Sequence, residues 1–68
     1  MIAVKSSNLF AVEYSSRTSV LTVLFHSGQM YGYTSVPPGL YRGLLNASSA
    51  GKFFHRYIRN HYKSYRIL

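Results

Sequence analysis

The chain has 68 residues, enough for one small domain, and no cysteine, which excludes disulfides and thiolate metal sites. Its formal charge is +7 with a single acid, Glu13. That balance points to nucleic acid, an anionic membrane or an acidic protein surface as partner, and at 47% hydrophobic the chain is too apolar to be a disordered basic tail.

The start, Met1-Ile2-Ala3-Val4-Lys5-Ser6-Ser7, lacks the basic segment and apolar core of a signal peptide. No apolar run approaches the roughly 18 residues of a membrane span. Both features fit a cytoplasmic protein. Residues Leu9–Tyr14 read as a first strand, and Ser15–Ser19 as a polar hairpin loop. Val20–His26, β-branched and apolar, is the strongest strand pattern. Ser27-Gly28 makes a turn, and Gln29–Ser35 a third strand. Connections this short favour an antiparallel meander. Val36-Pro37-Pro38-Gly39 stops the sheet, because proline cannot donate to a ladder and suits a helix start.

A short helix is expected over 39–47, with Leu40, Tyr41, Leu44 and Leu45 on one side. Ser48–Gly51 breaks it, and Ser49 can cap a second helix running from about Gly51 to Tyr62. Residues 63–68 either extend that helix or fray. The order predicts an α+β fold over residues 1–68: a three-stranded antiparallel meander followed by two helices packed on one face. A chain this short buries only about 60% of its unfolded surface. Seven tyrosines and four phenylalanines supply part of the packing, and a partner or a homodimer would supply more.

Several of these residues form a recognisable set. They are Ser6-Ser7, Tyr14, Leu21-Thr22-Val23-Leu24-Phe25, Gly28, Tyr31-Gly32-Tyr33, Val36-Pro37, Tyr41, Ala47-Ser48, Gly51, Phe53-Phe54, Ile58-Arg59 and Tyr62. In that order they resemble the KTSC domain, a module named from the C-terminus of some lysyl-tRNA synthetases, over roughly residues 4–66. The resemblance implies a compact α+β module that also occurs free-standing in bacteria and phages. It implies no established activity, although attachment to a tRNA synthetase suggests RNA binding. Ser15 stands where the family tends to have an acid, which makes this chain more basic.

Lys52, Arg56, Arg59, Lys63 and Arg66 carry five of the eight basic charges. Their spacings of four, three, four and three would stack them on one side of a long second helix, at about 100° per residue. Such a stripe neutralises phosphates, or simply keeps the domain in solution. Lys52, near the helix N-terminus, also suits a small anion pocket. Tyr31 and Tyr33, two apart, share one face of the third strand. They form either a stacking platform for bases or part of the core. The alternate residues Met30, Gly32, Thr34 and Val36 are less bulky, which favours the core. Tyr41, Tyr57, Tyr62 and Tyr65 read as core at helical spacing, with Tyr65 the most exposed.

His26, His55 and His61 lack the spacing of a helical metal site, so no metal or other cofactor is expected. A lone carboxylate excludes paired-acid chemistry. Metal-free RNA cleavage would need only His, Arg, Lys or Tyr, with His55, Arg56 and Arg59, or His26 beside the tyrosines, as candidates. The expectation is therefore a non-enzymatic module for RNA or single-stranded nucleic acid, with docking to an acidic protein surface as the alternative.

Overall fold

A computed structural model describes all 68 residues. The elements run β1 (Ile2–Ala3), β2 (Leu9–Ser15), β3 (Val20–Phe25), β4 (Met30–Tyr33), α1 (Pro38–Asn46), α2 (Ala50–Tyr57) and β5 (Ser64–Arg66). The five strands form one sheet in the order β1-β2-β3-β4-β5, every pair antiparallel. The α+β class and the central meander follow the sequence patterns. Two strands exceed the expected three: β1, which is only two residues long, and β5, which lies in the expected helix extension.

Register decides which side chains meet. Val12 pairs with Val23 and Val23 with Tyr31, while Tyr14 pairs with Leu21 and Leu21 with Tyr33. Partners in register share a face, so these six residues point one way. Both helices cover that face. The Tyr41 ring of α1 stacks on Tyr14 at 4.8 Å, and the Phe54 ring of α2 meets Tyr33 edge-on at 5.3 Å. Leu9, Val12, Leu21, Val23, Val36, Leu44 and Ile58 are completely buried between the layers. A register shift between Leu9 and Ala11 leaves Phe10 as a bulge, exposed and edge-on to His26.

Helix boundaries have local causes. Pro37 precedes α1, and Pro38 occupies its first turn, where a missing N–H costs nothing. Leu44 is buried, but Leu45 is 37% exposed, so the apolar side of α1 is narrower than expected. The Ser49 hydroxyl accepts a hydrogen bond from the Lys52 N–H at 3.2 Å, the expected cap of α2. Gly43 lets the helices approach: a Cβ there would lie 2.6 Å from the Phe53 ring.

The end of α2 corrects the expectation. The helix stops at Tyr57, not Tyr62. The N–H groups of Ile58 and Arg59 both donate to the Phe54 carbonyl, and Asn60 adopts φ +66°. A left-handed residue just past the last turn ends a helix, and asparagine tolerates it better than most. The chain then turns back. Tyr31, Gly32 and Tyr33 of β4 pair with Arg66, Tyr65 and Ser64 of β5. The Thr34 N–H and hydroxyl both donate to the Lys63 carbonyl, at 2.9 and 3.3 Å. On the sheet face away from the helices, Tyr65 lies across Gly32. A Cβ on Gly32 would sit 2.6 Å from that ring, so the glycine makes room for the tyrosine.

One cross-layer bond gives a stability prediction. The Tyr14 hydroxyl donates to the carbonyl of buried Val36 at 2.6 Å. Tyr14→Phe leaves that carbonyl unpaired, at a cost of about 1–3 kcal/mol. Thermal denaturation followed by circular dichroism should show a fall of about 4–8 °C per kcal/mol for a domain of this size.

Candidate nucleic-acid interface

The expected basic stripe does not exist as one helix face. Lys52 and Arg56 lie on α2, Arg59 in the turn after it, Lys63 before β5, and Arg66 on β5. The left-handed turn at Asn60 breaks the helical spacing after Arg59. Three different surfaces result.

The first is a groove of about 440 Å³ on the helix-bearing side of the sheet. Its apolar lining is a run of four rings in edge-to-face contact. Tyr31 meets Phe25 at 6.0 Å, Phe25 meets Phe54 at 5.7 Å, and Phe54 meets Tyr33 at 5.3 Å. Such T-shaped pairs hold one another's orientation. Arg59, Asn60, Tyr62 and Ser64, from the turn and the start of β5, line the groove as well, as do Asn8, Ser27 and Gln29. Arg66 is the register partner of Tyr31 and so projects from the same face.

The two expected tyrosines have different fates. Tyr33 is only 7% exposed and belongs to the core, so it offers no free ring for stacking. Tyr31 and Tyr62 are half-buried and keep surface on the groove. Burial pushes the Tyr33 hydroxyl above its ordinary pKa of 10.0, Tyr31 adds to the rise, and the nearby Arg59 guanidinium opposes it. The folded chain therefore holds this proton longer than the unfolded one. Below pH 10 both states are protonated and stability is unaffected. As pH rises through 10 toward the folded value, the unfolded state loses its proton first and stability falls. Tyr33→Phe should weaken this alkaline loss, read as denaturation midpoints at increasing pH, with phenolate absorbance reporting the titration.

The second surface is a polar hollow at the start of α2, lined by Ser6, Ser7, Ser49, Gly51, Lys52 and His55, with Asn8 also at its edge. The Ser6 hydroxyl accepts from the N–H groups of Asn8 and Leu9, both at 3.1 Å, and so shapes the approach to β2. Asn8 borders both this hollow and the aromatic groove. Arg56 stands apart, with its guanidinium 5.5 Å from the Tyr57 ring centre. Tyr57 is 46% exposed, an aromatic left open beside a cation.

The third surface lies on the opposite side of the sheet and is lined by Glu13, Arg17, Thr22 and Tyr65, among others. Its volume, about 590 Å³, exceeds that of the groove, but it holds the chain's only acidic side chain, Glu13, whose carboxylate lies 3.4 Å from the N-terminal ammonium.

The candidates for RNA cleavage are not assembled. His55 faces the Lys52 hollow, Arg59 the aromatic groove, and Arg56 the Tyr57 ring. His26 lies against Phe10, with its Nε2 3.0 Å from the Ser6 carbonyl. His61 lies in the turn between α2 and β5. No group of three or more metal-ligating side chains occurs, and no helix is long and apolar enough to cross a membrane.

Tyr62, Asn8, Gln29 and Asn60 are groove residues that sequence reasoning missed. Tyr62 reads as core on helical spacing, Gln29 as the start of the third strand, Asn60 as part of the second helix, and Asn8 lies just before the first strand. Asn60 did carry a signal, since asparagine between Arg59 and His61 is a helix-stop residue.

A five-stranded meander with two helices on one face, and a groove where the last helix turns back into the sheet, defines a small α+β module. The chain belongs to the KTSC domain family, whose model matches residues 5–62. It is 37% identical to an uncharacterized protein of Stutzerimonas stutzeri over 97% of this chain and 94% of that one. It is 40% identical to a lysine–tRNA ligase of Nostoc punctiforme over 74% of this chain, a match covering 9% of the ligase. The crystal structure of a KTSC domain protein from Yersinia pestis superposes with a TM-score of 0.93 at 26% identity, covering 97% of this chain and 93% of the other.

Proposed function

We propose that this protein is a non-catalytic module that binds RNA or another single-stranded nucleic acid on the helix-bearing side of its sheet. The observation that carries the reading is the groove. Residues from two segments far apart in the chain, Tyr31 on β4 and Arg59 and Tyr62 in the turn after α2, converge there, while the sole acidic side chain lies on the other side of the sheet. Aromatic surface beside arginine suits an unpaired strand, because bases stack on rings and phosphates pair with guanidinium groups. Arg66 on the same face and Lys52 in the hollow beyond Asn8 supply further phosphate contacts. Arg56 and Lys63 contribute to the field around the site. The ligase of Nostoc punctiforme, a protein that by its name acts on tRNA, contains a segment related to this chain and so supports an RNA ligand.

The test is fluorescence anisotropy with labelled single-stranded RNA, duplex RNA and DNA of equal length, across a range of salt. Low-micromolar affinity with a salt slope reflecting roughly three to five phosphates is expected. Weak binding that ignores the form of the nucleic acid and vanishes near physiological salt would overturn the reading.

A second reading, docking to an acidic protein surface, is favoured by the exposed aliphatic side chains Ile2, Ile67 and Leu68. It predicts a stable protein complex alongside only generic affinity for nucleic acid.

A further inference from the structure

The groove has features beyond charge. Its volume, about 440 Å³, lies at the small end of ligand pockets, which run from roughly 300 to 1,000 Å³. It matches one nucleotide rather than a helix. Its apolar wall is aromatic throughout, and the half-buried rings of Phe25, Tyr31 and Tyr62 keep surface on it. Around those rings stand three side-chain amides, from Asn8, Gln29 and Asn60. An amide both donates and accepts, so the set can meet the mixed donors and acceptors along the edge of a nucleobase. Arg59 is the only charged group in the lining. One cation among neutral polar groups and rings suits one phosphate attached to one base.

We infer that the groove is a pocket for a single unpaired nucleotide. Its base rests on the aromatic wall, its edge meets the amides, and its phosphate pairs with Arg59. The inference rests on the nucleic-acid reading and narrows it. Bases inside a duplex are stacked and paired, so a pocket of this kind selects single strands, loops or bulges. Phosphate contacts elsewhere on the basic surface hold the rest of the strand without sequence preference.

The experiment uses the whole chain and a short single-stranded RNA carrying one 2-aminopurine, free or annealed to its complement. The single strand should bind, the 2-aminopurine emission should change on binding, and the duplex should bind at least tenfold more weakly. Tyr62→Leu should lower single-strand affinity roughly 5- to 150-fold, the loss of one stacked base, and abolish the emission change. Because Tyr62 touches the core, Gln29→Ala on the exposed rim serves as a second variant. It should reduce affinity with unaltered circular dichroism. Equal binding of duplex and single strand, an unchanged emission, or wild-type affinity in a folded Tyr62→Leu or Gln29→Ala chain would overturn the single-nucleotide pocket and leave the broader reading standing. Failure of both RNAs to bind would overturn the two together.

Discussion

Arg59→Ala should lower the affinity for single-stranded RNA roughly 10- to 100-fold, the effect of one charged hydrogen-bonded contact. The fold should survive. Arg59 is exposed, and its structural contribution is its backbone N–H on the Phe54 carbonyl, which alanine retains. The salt slope should fall by about one, because one phosphate contact is gone. Arg56→Ala is the matched control. It removes the same charge from the same region, but Arg56 lies over Tyr57 and does not line the groove. If the two substitutions weaken binding equally, net charge accounts for the affinity and the groove does not. Anisotropy titrations at two or three salt concentrations decide between these outcomes.

Ile58→Ala should leave a substantial fraction of molecules unfolded at 25 °C. Ile58 is completely buried at the point where α2 gives way to the turn. Deleting a buried isoleucine side chain down to alanine costs about 2–5 kcal/mol, from lost transfer energy and the cavity left behind. A domain of this size rarely has more than about 3–5 kcal/mol in its hydrophobic core. One substitution thus removes most of the margin. Ile58→Val, at about 0.5–1.5 kcal/mol, should remain folded with a lower midpoint. Leu45→Ala on partly exposed α1 surface should be milder than Ile58→Ala. Urea denaturation followed by circular dichroism orders the three.

The parts of the fold legible in the sequence are those with local causes. The apolar, β-branched run Val20–Phe25 forms the expected strand. Pro37 and Pro38 stop one element and start another, and Ser49 caps the helix it precedes. The end of α2 was harder to read. The cations at 52, 56, 59, 63 and 66 keep helical spacing by coincidence of position, while Tyr65 and Ile67 alternate with Ser64 and Arg66 at strand spacing. Which period wins depends on whether β4 offers an unpaired edge, and that is a tertiary matter.

The candidate site follows the same division. Tyr31 and Arg59 can each be picked out as residue types. Their meeting cannot, because it needs the left-handed turn at Asn60 and the return of the chain along β4. Tyr33 shares strand and spacing with Tyr31 yet is buried, because α2 places Phe54 against its ring.

The pairing of β5 with β4 also bears on how the molecule opens. β5 is three residues long, exposed along its whole length, and bonded on one side only. β3 is bonded on both sides and anchors Leu21 and Val23 in the core. Amide protons on β5 therefore exchange with solvent through a partial opening, while those of β3 wait for global unfolding. Ser64 on β5 lines the groove, and Tyr31 and Tyr33 are partners of that strand. The groove is thus built against an edge of the sheet that opens before its centre. A molecule clamped between the turn and β4 would make that edge costlier to open, so occupancy of the groove and protection of the edge rise together.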